Sequence, residues 1–235
     1  MIVRQNGRIR AILKRVPGLR SAFYLVTALR QSKGDEWRDP SSFDAIFSTD
    51  PDPWRSSSES EQKRFDLTLS LLEKEGLNHF AHAVEVGCGE GFFTVKLAPM
   101  CEHLDALDYS TVALSAARGR TSHPQVRFRE WDMRNDELEG EYDLMVAMGV
   151  LTSLYRPRDV RAVAEKLLDA ISPGGHLLFS DVRQSRVYEQ AWWGRLMLRG
   201  GEQIRRFLQR HSQLETLQLA DTDSHVFALF RKRRN

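Results

Sequence analysis

The stretch VEVGCGEGFFT, Val84 to Thr94, passes from a short apolar run into three glycines at alternate positions, Gly87, Gly89 and Gly91. Such a run reads as a buried strand that turns sharply into a helix, where backbone amides can approach a ligand closely. A dinucleotide fingerprint, G-x-G-x-x-G/A, needs a small third residue at position 92, and this chain has Phe92 there. The spacing is instead G-x-G-x-G, preceded two residues earlier by Glu85.

From Ala81 the pattern of strand, turn and helix repeats. AVEVG, LDALD, VRFREW, YDLMVAMG and HLLFSDV read as five strands, and Phe92 to Met100, Thr111 to Arg118 and Arg158 to Ile171 have helical period. Alternation of this kind predicts a doubly wound α/β fold on a mainly parallel sheet. LETLQLADTDSHVFALFRK reads as two strands around a polar turn, an antiparallel edge hairpin. Upstream, Ser57 or Ser58 caps a long helix running to about Gly76, with Leu67, Leu71 and Leu72 on its inner face. FDAIFSTDPDPW, with two prolines and three aspartates, reads as a rigid turn after a polar linker, Gln31 to Ser42.

The chain has 235 residues, 41% hydrophobic and 28% charged, enough for one α/β domain with an appendage. Its longest uncharged stretch near the start, Ser21 to Leu29, is too short to span a bilayer, and no signal-peptide cleavage pattern follows it. Cys88 and Cys101 supply neither metal spacing nor a disulfide framework, which points to a reducing cytoplasm. The net charge of +2 is unevenly placed: residues 1–34 carry eight Lys or Arg and no acid, and Arg231 to Arg234 add four. Removing these twelve leaves 22 basic against 32 acidic residues, a body of about −10 with cationic ends. Ile9, Ile12, Leu13 and Val16 give the first basic segment an amphipathic helical stripe. The expected organisation is a basic helical extension with its linker, 1–42, ahead of one domain, 43–235. The extension can pack on the body, dock an acidic partner, or rest on an anionic membrane surface through residues 1–34. No aromatic–basic interleaving supports specific nucleic-acid binding.

Asp108 ends the second strand, seventeen residues after Gly91, where a carboxylate accepts the hydroxyls of an adenosine ribose or caps the following helix. Asp132 follows the third strand, placed either to accept from an adenine amino group or to make a surface turn. Trp131 and Met133 flank it, either side of that ring or in the core.

VEVGCGEG, the acid of LDALDYS, EWDMRN, YDLMVAMGVL and LLDAISPGGHLLFSDV together resemble the ordered motifs of class I S-adenosylmethionine (SAM) dependent methyltransferases, over about Ala81 to Val182. The resemblance implies a seven-stranded sheet with an antiparallel last strand. By position it places Glu85, Gly87, Gly89 and Gly91 along the methionine and ribose, and Asp108 with Tyr109 at the ribose. Asp132 and Met133 fall at adenine, and Ala147 and Met148 near the methionyl amine. A narrower likeness joins FDAIFSTDPDPW, Ser58, Glu61, Arg64 and Thr68-Leu69 to the nodulation protein S family of N-methyltransferases and its small-molecule relatives. After the fourth strand this chain has Gly149 to Ser153 where that pattern usually offers a polar or acidic residue with an aromatic pair.

The implied reaction carries a methyl from SAM to an amine or hydroxyl of a small molecule, a sugar or glycan among them, by in-line displacement without a metal, releasing S-adenosylhomocysteine (SAH). Such a step can run on positioning, and the seven histidines have no spacing that nominates a base. Arg64 is the candidate for the SAM carboxylate, against a solvated helix-face charge. Trp54, Tyr155, Trp192 and Trp193 are candidates for the acceptor pocket, against plain packing roles. AMGVLTS lacks the motifs of base-modifying, catechol-type and arginine-modifying relatives. The alternative from another class is a SAM-binding partner subunit without turnover.

Overall fold

The computed structural model describes residues 40–154, 157–183 and 200–234, the side chains of 40–42 and 157 excepted. The chain falls into two compact units, 1–42 and 43–235. The basic N-terminal segment expected to be helical, Tyr155, Trp192 and Trp193 lie outside the described residues.

Seven strands make one sheet in the order β3-β2-β1-β4-β5-β7-β6. They are β1 Phe80–Val86, β2 Cys101–Asp108, β3 Val126–Glu130, β4 Tyr142–Met148, β5 Ile171–Val182, β6 Leu214–Asp221 and β7 His225–Lys232. β1 to β5 are parallel, while β7 is antiparallel to both β5 and β6, so the expected reversed last strand is present. The helices are α1 Pro40–Thr49, α2 Glu59–Lys74, α3 Phe92–Leu97, α4 Thr111–Arg120, α5 Pro157–Asp169 and α6 Gly201–Gln209.

The central strands are apolar on both faces because both are covered. On one face Phe65, Leu71 and Leu72 of α2 and Phe93 and Leu97 of α3 pack on Leu144, Val146, Leu178, Phe227 and Leu229. On the other, Val160, Val163, Leu167 and Leu168 of α5 and Ile204 and Leu208 of α6 pack on Val84, Val86, Met145, Phe179 and Ala228. Ser58 is the cap of α2, its hydroxyl accepting from the Glu61 amide. Lys232 closes the far end of α5, its ammonium donating to the carbonyls of Leu168 and Ile171, both at 2.7 Å.

Two boundaries differ from the sequence reading. FDAIFST belongs to α1, and only the residues from Asp50 onward turn. Pro40 starts that helix, a position where its missing N–H costs nothing, and Phe43, Ile46 and Phe47 supply a one-turn apolar stripe. Further on, α5 stops at Asp169, and Ile171 already pairs with Tyr142 as the first residue of β5. Among the described residues, no helix is long and apolar enough to cross a membrane.

Candidate active site

The strand order reverses between β1 and β4, and a ligand crevice opens outside the carboxyl ends of strands at such a switch point. The glycine loop leaves β1 there. Gly87 and Cys88 donate their amides to the Leu107 carbonyl at 2.8 and 2.9 Å, which ties the loop to the end of β2. The Gly89 amide instead donates to Asp108 Oδ2 at 2.7 Å. Gly87 and Gly89 have φ of +74° and +52°, a region that favours glycine. A Cβ on Gly87 would lie 2.9 Å from Val150 Cγ2, so packing demands that glycine. Among the described residues, a Cβ on Gly89 would meet nothing within 4 Å, and the same is true of Gly149 after β4. Gly91 abuts α4 instead, where a Cβ would lie 3.1 Å from Ala117 Cβ.

Two carboxyls stand at this crevice. Glu85 is only 3% exposed and accepts the Thr94 hydroxyl at 2.6 Å. Burial pushes its carboxyl up to about 8, the Thr94 bond offsets part of that, and the negative charge of Asp108 adds to it. Asp108 is also raised, by burial, against the amides of Ser110, Gly89 and Tyr109. Its Oδ1 accepts the Ser110 amide at 2.9 Å, while the Ser110 hydroxyl caps α4. Asp44 of α1 reaches the same corner, accepting the Ser110 hydroxyl at 2.6 Å and the Val112 amide at 3.3 Å. Tyr109 meets Phe43 edge to face at 6.1 Å and lies under Arg134.

Asp132, 9% exposed, organises a tight turn after β3. Its Oδ1 accepts Arg134 N and Nε at 2.9 and 3.3 Å, and its Oδ2 accepts Asn135 Nδ2 at 2.7 Å. A carboxylate offers about four acceptor positions, so one remains on Oδ2. Met133 is partly buried against the core. Trp131 is a core residue, 4% exposed, with its indole N–H given to the Glu137 carbonyl at 3.1 Å. Its ring is therefore committed to packing, and the pairing of Trp131 with Met133 around a ligand ring is set aside.

Across the crevice, Met148 ends β4, with its sulfur 3.7 Å from the Thr68 hydroxyl of α2. One turn earlier on α2, Arg64 has a side chain only 14% exposed. Its Nε and Nη2 hold Glu61 Oε2 at 2.8 and 2.7 Å, and its Nη1 is buried with no partner among the described residues. A solvated helix-face charge does not look like this. Trp54 is 52% exposed and leans edge-on against Phe47, on the loop between α1 and α2 that Asp52 holds together.

Two residues here had no sequence signal of their own. Asp181, at the end of β5, is buried and accepts both the Thr152 amide and hydroxyl, at 3.1 and 2.6 Å, fixing the turn after β4. Burial pushes its carboxyl up to about 6 against those hydrogen bonds and the Arg64 charge. His225 starts β7, and the reversal of that strand brings it to this edge of the sheet, opposite Val182. Burial and the Arg64 charge hold its imidazole below the usual histidine range, so it is neutral at pH 7. Asp181 ends its strand and His225 begins one, and only the strand order and the reversal of β7 bring the two to one edge.

The model of the nodulation protein S (NodS) family matches residues 47–222. Nodulation protein S of Rhizobium tropici is 33% identical over 186 residues, covering 77% of this chain and 75% of that protein. The nodulation protein S of Sinorhizobium fredii is also 33% identical, over 132 residues, 54% of this chain and 59% of its own length. Among solved structures, the N-methyltransferase NodS from Bradyrhizobium japonicum WM9, in complex with SAH, superposes with a TM-score of 0.69 at 25% identity, covering 82% of this chain and 97% of the other. The chain belongs to the nodulation protein S family and is a SAM-dependent methyltransferase.

Proposed function

We propose that this enzyme methylates an amine or hydroxyl of a small molecule, a sugar or glycan being the favoured acceptor class, with SAM held along the crevice from Arg64 to Asp132. The observation that carries this placement is the cradle at Gly89, where a missing side chain leaves space among the described residues beside the Asp108 carboxylate.

The residues fit the cofactor piece by piece. Arg64 Nη1, a buried donor without a partner among the described residues, suits the methionyl carboxylate. Glu85 and Gly89 line the methionine and ribose side, with Met148 opposite, while Gly87 and Gly91 shape the loop by packing on Val150 and Ala117. Asp108 accepts from the ribose hydroxyls, with Tyr109 beside it. The remaining acceptor position of Asp132 suits the adenine amino group, with Met133 against the ring. Bound SAM supplies an electrophilic methyl on a positively charged sulfur.

The chain's own contribution is mainly placement. Holding acceptor and methyl in line can supply roughly 7–11 kcal/mol of barrier reduction. Asp181 keeps the turn Leu151–Ser153 in one position through Thr152, which fixes the wall after β4. An amine acceptor needs only to arrive deprotonated. A hydroxyl acceptor gains about 10²–10⁴-fold from a base, and His225 is the neutral imidazole at this edge. Trp54, with an exposed ring, offers a flat apolar face to a sugar ring. The N-terminal basic segment is proposed to bring the enzyme to acidic surfaces, either a partner or an anionic membrane.

The test is transfer of labelled methyl from SAM across amino sugars, neutral sugars, phenols and glycans, with Asp108→Ala as control. Label on nitrogen or oxygen that is lost in the variant supports the reading. Label retained in full by Asp108→Ala overturns the site assignment. Bound SAM with no labelled product across the panel would favour a binding subunit without turnover.

A further inference from the structure

The turn that carries Asp132 is not held by its own residues alone. Lys166, in the last turn of α5, reaches across and donates its ammonium to the Met133 carbonyl at 3.2 Å and to the Asp136 carbonyl. The same ammonium lies 5.8 Å from the centre of the Trp131 ring, and Trp131 in turn holds the Glu137 carbonyl at 3.1 Å. The segment from 131 to 137 is thus gripped at Met133 and Asp136 from the helix, and tied end to end by the Trp131 indole on Glu137. On its other side, Arg134 and Asn135 orient the Asp132 carboxylate.

The consequence for recognition is geometric. Asp132 keeps one acceptor position, on Oδ2, and its direction is set by the turn. A donor that loses alignment by a few tens of degrees loses most of its hydrogen bond. Lys166 touches no ligand in this arrangement, yet it fixes the backbone on both sides of Arg134 and Asn135. Helix α5 is itself fixed, with Val163, Leu167 and Leu168 in the core. Lys166 therefore links a rigid helix to the one turn that reads the base.

We propose that Lys166 is a positioning residue for cofactor recognition, one that sets the enzyme's preference for an adenine over a base with a carbonyl in place of the amino group. The proposal rests on the assignment of Asp132 to the adenine amino group. With the lysine in place, the free position of Asp132 faces a donor and repels a carbonyl oxygen. Without it, the turn relaxes and the two bases are bound more nearly alike.

The experiment measures dissociation constants of SAH and of S-inosylhomocysteine by calorimetry, so no acceptor is needed. Wild-type protein is expected to favour SAH by about tenfold or more, the value of one well-placed hydrogen bond. Lys166→Met, which keeps the stem over Trp131, is expected to lose most of that preference. Lys166→Arg, which keeps the donors, is expected to retain it. Lys232→Met serves as the stability control, because Lys232 caps the end of the same helix and touches nothing in the turn. It is expected to lower the melting temperature and leave the preference unchanged. An unchanged preference in Lys166→Met, or equal losses in Lys166→Met and Lys232→Met, overturns the proposal. Equal affinity of the wild type for both ligands removes the adenine assignment itself, and the proposal with it. Absence of SAH binding by the wild type would instead count against the whole site.

Discussion

Glu85 and Arg64 show how a single side chain reports on this site before any acceptor is known. Glu85 has an ordinary value near 4.5 in the unfolded chain and about 8 when buried. The native state therefore binds the extra proton between those values, and stability must fall as pH rises from about 4.5 through about 8. Glu85→Gln keeps the size and an acceptor for Thr94 but cannot ionise. It is expected to flatten that decline and to be more stable than wild type near pH 8, in urea unfolding across the pH range. Arg64 makes a separate prediction. Arg64→Ala should weaken SAH about 10–100-fold, as for loss of a charged hydrogen bond, yet leave methylthioadenosine, which has no carboxylate, close to unchanged. Equal weakening of both ligands would mean a structural role. Arg64 was nominated from the sequence, whereas the raised Glu85 carboxyl and the spare Arg64 nitrogen are visible only in the packing. Glu61, three residues from Arg64, occupies two of its nitrogens, but only packing leaves the third buried and unpartnered among the described residues.

The glycine loop separates folding from binding within five residues. Gly87→Ala pushes a methyl against Val150 at a φ of +74°, so it is expected to destabilise the protein by several kcal/mol. Gly89→Ala meets no atom within 4 Å and costs only about 1 kcal/mol of backbone strain, while placing a methyl in the crevice. Thermal unfolding and SAH titration of the two variants should part accordingly. Helix α1 gives another test. Asp44 receives the Ser110 hydroxyl and Val112 amide at the start of α4, and those bonds, against the cost of burial, hold its carboxyl below the usual range. Asp44→Ala should cost about 1 kcal/mol, the value of a helix cap, in chemical unfolding at neutral pH. The loop was legible because three alternate glycines after an apolar run have few other uses. Helix α1 was not, since its apolar stripe is a single turn long and the DPDP run beside it dominates the local signal. The Asp44 contact spans 66 residues, beyond any periodicity.

For the molecule as a whole, alternation of strand and helix was enough to give a parallel sheet, and the final polar turn was enough to reverse its last strand. What the alternation could not give was the strand order, which places β1 beside β4 and brings Asp181 and His225 to the same edge as Gly89. Apart from Arg64 on α2, the cofactor residues nominated from motifs lie at the ends of β1 to β4 or in the loops that follow them. Of those found only in the structure, Asp181 and Lys166 act on turns 29 and 30 to 33 residues away, and His225 reaches the site edge through the strand reversal. Trp131 went the other way, since an aromatic beside a turn is read as a ligand contact until its burial is known. These residues converge on one claim, that the crevice bounded by Gly89 and Asp108 holds the cofactor. Isothermal titration of SAH into the wild-type chain and into Gly89→Ala at matched folded concentration addresses it. The expected result is one site in the wild type and at least about tenfold weaker binding in the variant, with its melting temperature nearly kept. Equal binding by the two proteins, or none by the wild type, would contradict the placement of SAM at that loop.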